Sequence, residues 1–131
     1  MEKRLKELAE KLGLSSNVHL LGFRTDVDEV YKISDMFIFP SYREGLSVAL
    51  MEAIASGLPV VASNIRGNTD LLEHRSNGLL VNKNNVKGYV KAILEIYVNK
   101  SNLYKTNNDI AKYDIKNIKE KMKDIYLQLS N

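Results

Sequence analysis

The 131-residue chain carries 19 Lys and Arg against 16 Asp and Glu, a net charge of +3, and 44% of its residues are apolar. That is one domain's worth of chain, long enough to bury a core unaided by disulfides or metals. With no Cys and only two His, a disulfide scaffold, thiolate zinc and Cys-based catalysis are excluded, and a multi-histidine metal cage is disfavoured.

No apolar run approaches the roughly 20 residues of a membrane span. The opening MEKRLKELAEK alternates charge and has no signal-peptide core. The expectation is an intracellular, soluble protein. Residues 1–82 hold 9 Lys and Arg against 11 Asp and Glu, and residues 83–131 hold 10 Lys against 5 acids. The basic tail reads first as a solvated helix face. Attraction to an anionic membrane or polymer is the lesser reading, and the charge balance does not indicate nucleic-acid binding.

Leu5, Leu8, Ala9 and Leu12 fall at helical spacing, and Gly13 terminates that helix. Val18-His19-Leu20-Leu21 is expected as a short buried strand closed by Gly22. Thr25 and Asp26 are good helix caps, with Asp28 and Glu29 as capping-box partners, opening a short helix through Val27, Val30, Tyr31 and Ile33. Met36–Phe39 is a second strand, stopped by Pro40. A helix is expected from about Leu46 to Ser56, ended by Gly57. Pro59–Ala62 is a third strand. A short helix near Asn68–Glu73 and a fourth strand at Gly78–Val81 follow. Val86, Val90, Ile93, Leu94 and Tyr97 mark a further helix. Residues 99–110 read as a polar loop, and Ile118, Met122, Ile125 and Leu129 mark a terminal helix.

Short continuous apolar strands separated by helices describe an α/β chain with a Rossmann-like parallel sheet and flanking helices. Ligands of such sheets bind at the carboxyl ends of the strands. The stretch Phe39–Ala53 lies at one such end. Gly45 permits close backbone approach, and the amides of Leu46, Ser47 and Val48 at the helix start suit an anion such as a diphosphate. Glu44 and Glu52 flank that position. A glycosidase acid/base pair fits poorly. Eight residues of helix span about 12 Å, whereas hydrolase carboxylates lie roughly 5–9.5 Å apart. Glu44 meeting one end of an extended ligand and Glu52 the other fits better. On spacing alone, a Glu that only complements the helix dipole and an exposed helical Glu remain open.

At these residues the chain resembles the retaining glycosyltransferases of family 4, also called group 1. The E-x7-E pattern runs from Glu44 to Glu52 and continues into Ala53-Ile54-Ala55-Ser56-Gly57-Leu58-Pro59-Val60-Val61-Ala62. Asn17–Phe23, Ser34–Ser41 and Asn77–Val81 match in order, so the resemblance covers about residues 5–98. It implies part of the C-terminal, donor-binding domain of a GT-B enzyme, spanning 1–131. Glu44, the catalytic candidate, would contact donor-sugar hydroxyls near the reacting carbon, in a positioning and electrostatic role. Backbone amides of Gly45, Leu46 and Ser47 would hold sugar and phosphate. Glu52 would bind the ribose hydroxyls, and Phe23 and Arg24 would lie near the nucleobase. No metal or other cofactor is implied; the donor is a nucleotide-sugar, by default of UDP.

The chain also departs from the family. Leu46-Ser47-Val48-Ala49 stands where many members have Phe-Gly-Leu-Pro, a variant resembling enzymes of capsule, exopolysaccharide and O-antigen assembly. Arg66-Gly67 stands in place of Gly-Gly, with an exposed Arg66 the simpler reading. The two strands that precede the first helix in the family, and its acceptor domain, have no counterpart. The expectation is therefore an incomplete catalyst: a fragment, a truncated gene or half of a split enzyme, needing an N-terminal domain or partner chain. Its first strand is expected to leave an edge open to self-association. A glycan or lipid-linked acceptor and a cytoplasmic site, at the inner face of the membrane, complete the reading. A non-catalytic partner module is the alternative. His19 reads as a core or edge residue, His74 as surface, and Tyr89, Tyr97, Tyr104, Tyr113 and Tyr126 as packing residues.

Overall fold

The computed structural model describes residues 2–99. Three of the four expected strands form. Phe37–Phe39 (β1), Val60–Ser63 (β2) and Leu79–Val81 (β3) make one parallel sheet in the order β1-β2-β3. Phe37 stands opposite Val60 and Phe39 opposite Ala62; Val61 stands opposite Leu79 and Ser63 opposite Val81. The central strand β2 is buried along its whole length, as a parallel strand covered on both faces must be.

The two faces are packed by different helices. Val48–Ala55 (α3) sends Leu50 and Ile54 onto Val60 and Ala62, with Leu71 and Leu72 completing that face. Val86–Val98 (α5) sends Tyr89, Ala92 and Ile96 onto Val61, Leu79 and Val81 on the other. Alternate residues of β2 thus enter opposite cores. A third cluster joins Tyr31 of Val27–Lys32 (α2) to Ala53 and Leu58. Tyr31 also meets Phe37 edge-on, with ring centroids 5.8 Å apart.

Local signals explain most element ends. The Ser47 side chain caps α3 by accepting from the Leu50 amide. Gly57, at φ +76°, closes the helix in the left-handed region and turns the chain into β2. Asn85 caps α5 by accepting from the Gly88 amide at 2.9 Å. The first helix, Glu2–Lys11 (α1), ends just before Gly13 at φ +68°.

Several expectations are corrected. Val18–Leu21 is not a strand, and Val18, His19 and Leu21 are exposed, so His19 is neither core nor strand-edge. Among the described residues the sheet is β1-β2-β3 alone, and no strand lies beside this run for it to pair with. The edge strands of that sheet are β1 and β3. Asp26 does not cap α2 through its side chain, because its carboxylate pairs with Arg24 instead. The short helix expected near 68–73 lies at Arg66–Thr69 (α4), earlier by about half its length, since the Asn68 and Thr69 amides both bond the Ile65 carbonyl. Tyr89 is buried as expected, whereas Tyr97 is 60% exposed. The terminal part of the expected loop and helix, residues 100–131 with Tyr104, Tyr113 and Tyr126, lies outside the described residues.

Candidate functional site

The loop from Pro40 to Ser47 leaves the carboxyl end of β1 and enters α3. Glu44 is half-buried in it, while Gly45 and Leu46 are exposed. Helix α3 starts at Val48, two residues later than expected, because the extended Ser47 is the cap. The amides without an intrahelical partner are therefore those of Val48 and Ala49, with that of Leu50 taken by Ser47. Leu46 and Ser47 lie in the turn before the helix rather than in its first turn.

Glu52 is exposed on α3. It opens onto a cavity of about 350 Å³, which it lines with Ala55 of α3, with Ser56 just past that helix, and with Thr25, Val27, Asp28 and Tyr31 from the segment opposite. Tyr31 is buried, and its hydroxyl donates to the Ala49 carbonyl at 3.3 Å. Burial pushes its phenol above the usual range, and the neighbouring Glu52 carboxylate adds to that shift. Phe23 is 94% exposed. The Arg24 guanidinium binds the Asp26 carboxylate and holds that acid below its ordinary range. Phe23 and Arg24 lie two and one residues from Thr25, so this loop reaches the rim of the Glu52 cavity.

Below the loop lies a set of buried polar contacts that no local sequence signal marks. Ser63, at the carboxyl end of β2, shares a 2.8 Å hydrogen bond with the Tyr89 hydroxyl. It also donates to the Phe39 carbonyl at 3.4 Å. The Asn68 side-chain amide donates to the Ser63 carbonyl at 2.9 Å. The carboxyl ends of β1 and β2 are thereby tied to α4 and to the first turn of α5. Lys83, just past β3, reaches back over the Tyr42 ring at 5.8 Å. Arg66 is exposed, as expected. Among the described residues, no group of three His, Asp or Glu is placed to hold a metal ion.

The family model for "Glycosyl transferases group 1" matches residues 1–117. The chain belongs to that family. It is 33% identical over 122 residues to an Escherichia coli enzyme, UDP-Gal:alpha-D-GlcNAc-diphosphoundecaprenol alpha-1,3-galactosyltransferase, covering 90% of this chain and 32% of the enzyme. It is 36% identical over 130 residues to an uncharacterized glycosyltransferase of Haemophilus influenzae, covering 95% and 36%. Among solved structures, Anabaena HepE in complex with UDP-glucose superposes with a TM-score of 0.84 at 24% identity, over 98% of this chain and 36% of that one. Sucrose-phosphate synthase from Thermosynechococcus elongatus gives 0.84 at 25% identity, over 97% and 34%. The parallel sheet with its flanking helices is thus a GT-B glycosyltransferase architecture, and the chain spans about a third of the length of these relatives. Among the described residues, no helix is long and apolar enough to cross a membrane.

Proposed function

We propose that this chain forms the nucleotide-sugar-binding part of a retaining glycosyltransferase. The observation that supports this reading is the loop at the carboxyl end of β1 that carries Glu44 into the Ser47-capped start of α3, with Glu52 further along the same helix. An extended donor fits that arrangement. Glu44 meets the sugar hydroxyls near the reacting carbon. The Gly45, Leu46 and Ser47 backbone and the open amides of Val48 and Ala49 face the diphosphate. Glu52 meets the ribose hydroxyls, and Phe23 and Arg24 lie toward the base. As the bond to the diphosphate breaks, negative charge grows on the leaving oxygens, and fixed amide dipoles stabilise it without reorganising. In this reading no metal ion is needed.

UDP is the expected carrier, in keeping with the UDP and UDP-glucose complexes of HepE. A hexose or N-acetylhexosamine would pass to a glycan or lipid-linked acceptor, in capsule, exopolysaccharide or O-antigen assembly. The Escherichia coli relative named for a diphosphoundecaprenol acceptor supports this, as does the relative WaaG, a lipopolysaccharide glucosyltransferase. Such work would place the protein in the cytoplasm, at the inner membrane face. The exposed leucines of α1 and the open edge of β1 support a need for further chain, an N-terminal domain or a partner, before turnover is possible. Calorimetric titration with UDP, GDP and UDP-sugars, with Glu52→Ala alongside, tests the reading. Saturable UDP binding that the variant weakens supports it; equal affinity in the variant removes the ribose role of Glu52.

A further inference from the structure

We propose that Gly67 is a positioning residue: the seat on which the Glu44–Gly45 loop rests, and the residue that sets where Glu44 stands. A Cβ at position 67 would lie 2.1 Å from the Gly45 carbonyl oxygen, 2.6 Å from the Glu44 carbonyl oxygen and 2.9 Å from the Glu44 carbonyl carbon. All three atoms are backbone, so no side-chain rotation relieves the overlap. Either the loop rises or α4 withdraws.

Helix α4 is the better anchored of the two. Asn68 is fully buried and donates to the Ser63 carbonyl. Ser63 is itself bonded to Tyr89 and Phe39. Just beyond α4, Leu71 and Leu72 are packed into the sheet. The loop, by contrast, is exposed or half-buried from Tyr42 to Ser47. A side chain at position 67 therefore displaces the loop. Glu52, on α3, is outside that contact. The consequence for ligand binding rests on the donor reading above: a shift of about 1 Å at a reacting end is expected to cost on the order of 100-fold in rate.

The test compares backbone amide spectra of the wild-type chain, Gly67→Ala and the double variant Gly67→Ala/Asn68→Ala, without ligand. Gly67→Ala is expected to move the amides of residues 43–47 and leave those of α5 in place. Removing the Asn68 anchor lets α4 yield, so the double variant is expected to bring the 43–47 amides back toward wild type. A merely structural glycine would show no such rescue. Changes confined to residues 65–70 in Gly67→Ala, or no return in the double variant, overturn the proposal, as does failure of both variants to fold. Titration with UDP-glucose then reads the site, with at least tenfold weaker binding expected for Gly67→Ala. Wild type without UDP-glucose affinity would sink the donor reading, while the ligand-free spectra still decide the seat.

Discussion

Val18–Leu21 and Met36–Phe39 are both runs of four residues dominated by apolar side chains, yet only the second contains a strand. The difference extends to the regions around them. From residue 36 to 98, a three-stranded sheet has helices on both faces and its central strand is wholly buried. From residue 2 to 34, Leu5, Leu8, Leu12, Leu14, Val18 and Leu21 are all exposed, and only Ala9 and Tyr31 are buried. Apolar periodicity marks a surface that needs covering. It does not say that the same stretch of chain supplies the cover.

The largest effect should separate the two regions by stability. Leu50→Ala, in the core beneath the site, is expected to lower unfolding stability by about 3 kcal/mol in urea denaturation. A loss below about 1 kcal/mol would mean that α3 packs loosely. The next test falls where the regions meet, at the cavity between α2 and α3. Glu52→Ala is expected to weaken UDP binding about tenfold, or about 1.4 kcal/mol, with the melting temperature unchanged because the side chain is exposed.

Tyr31→Phe removes the bond to the Ala49 carbonyl and is expected to cost about 1 kcal/mol. It also changes the alkaline limb. An unfolded tyrosine ionises near pH 10, and the folded phenol of Tyr31 does so higher. The stability from keeping it neutral is whole below about pH 10 and declines as pH rises through the folded value. Wild type should therefore lose more stability than Tyr31→Phe between about pH 9 and 11, and parallel losses would dismiss the shift. The smallest effect belongs to Leu8→Ala, half-exposed on α1, at about 0.5 kcal/mol or less. A larger loss in an assembly with the rest of an enzyme would show that this face is covered there.

Much of the sheet was legible because its signals are local: apolar runs at 36–39, 59–62 and 78–81, each bounded by Gly, Pro or a polar residue. Helix α5 was legible from its spacing. What escaped depends on distant partners. Whether Val18–Leu21 pairs depends on a neighbouring strand. The start of α3 turned on Ser47, which has the chemistry of a cap but sits inside an apolar pattern. Ser63 and Tyr89 are 26 residues apart and meet only in the fold. Tyr31 read as one residue on the apolar side of a short helix, and its hydroxyl reaching α3 had no sequence marker. Gly67 looked like one half of a variant Gly-Gly string; the closeness of Gly45 above it is visible only in three dimensions.

The open edge of β1 bears on how this chain behaves in concentrated solution. Met-Phe-Ile-Phe is the kind of segment that recruits identical strands from other molecules. Here the strand itself is only three residues long. Asp35 places a charge immediately before the run, and Pro40, which has no amide to donate, closes it. Those two gatekeepers limit how far a foreign strand can zip along the edge. Replacing either with an apolar β-former is expected to turn a tolerated edge strand into a nucleus for fibre growth.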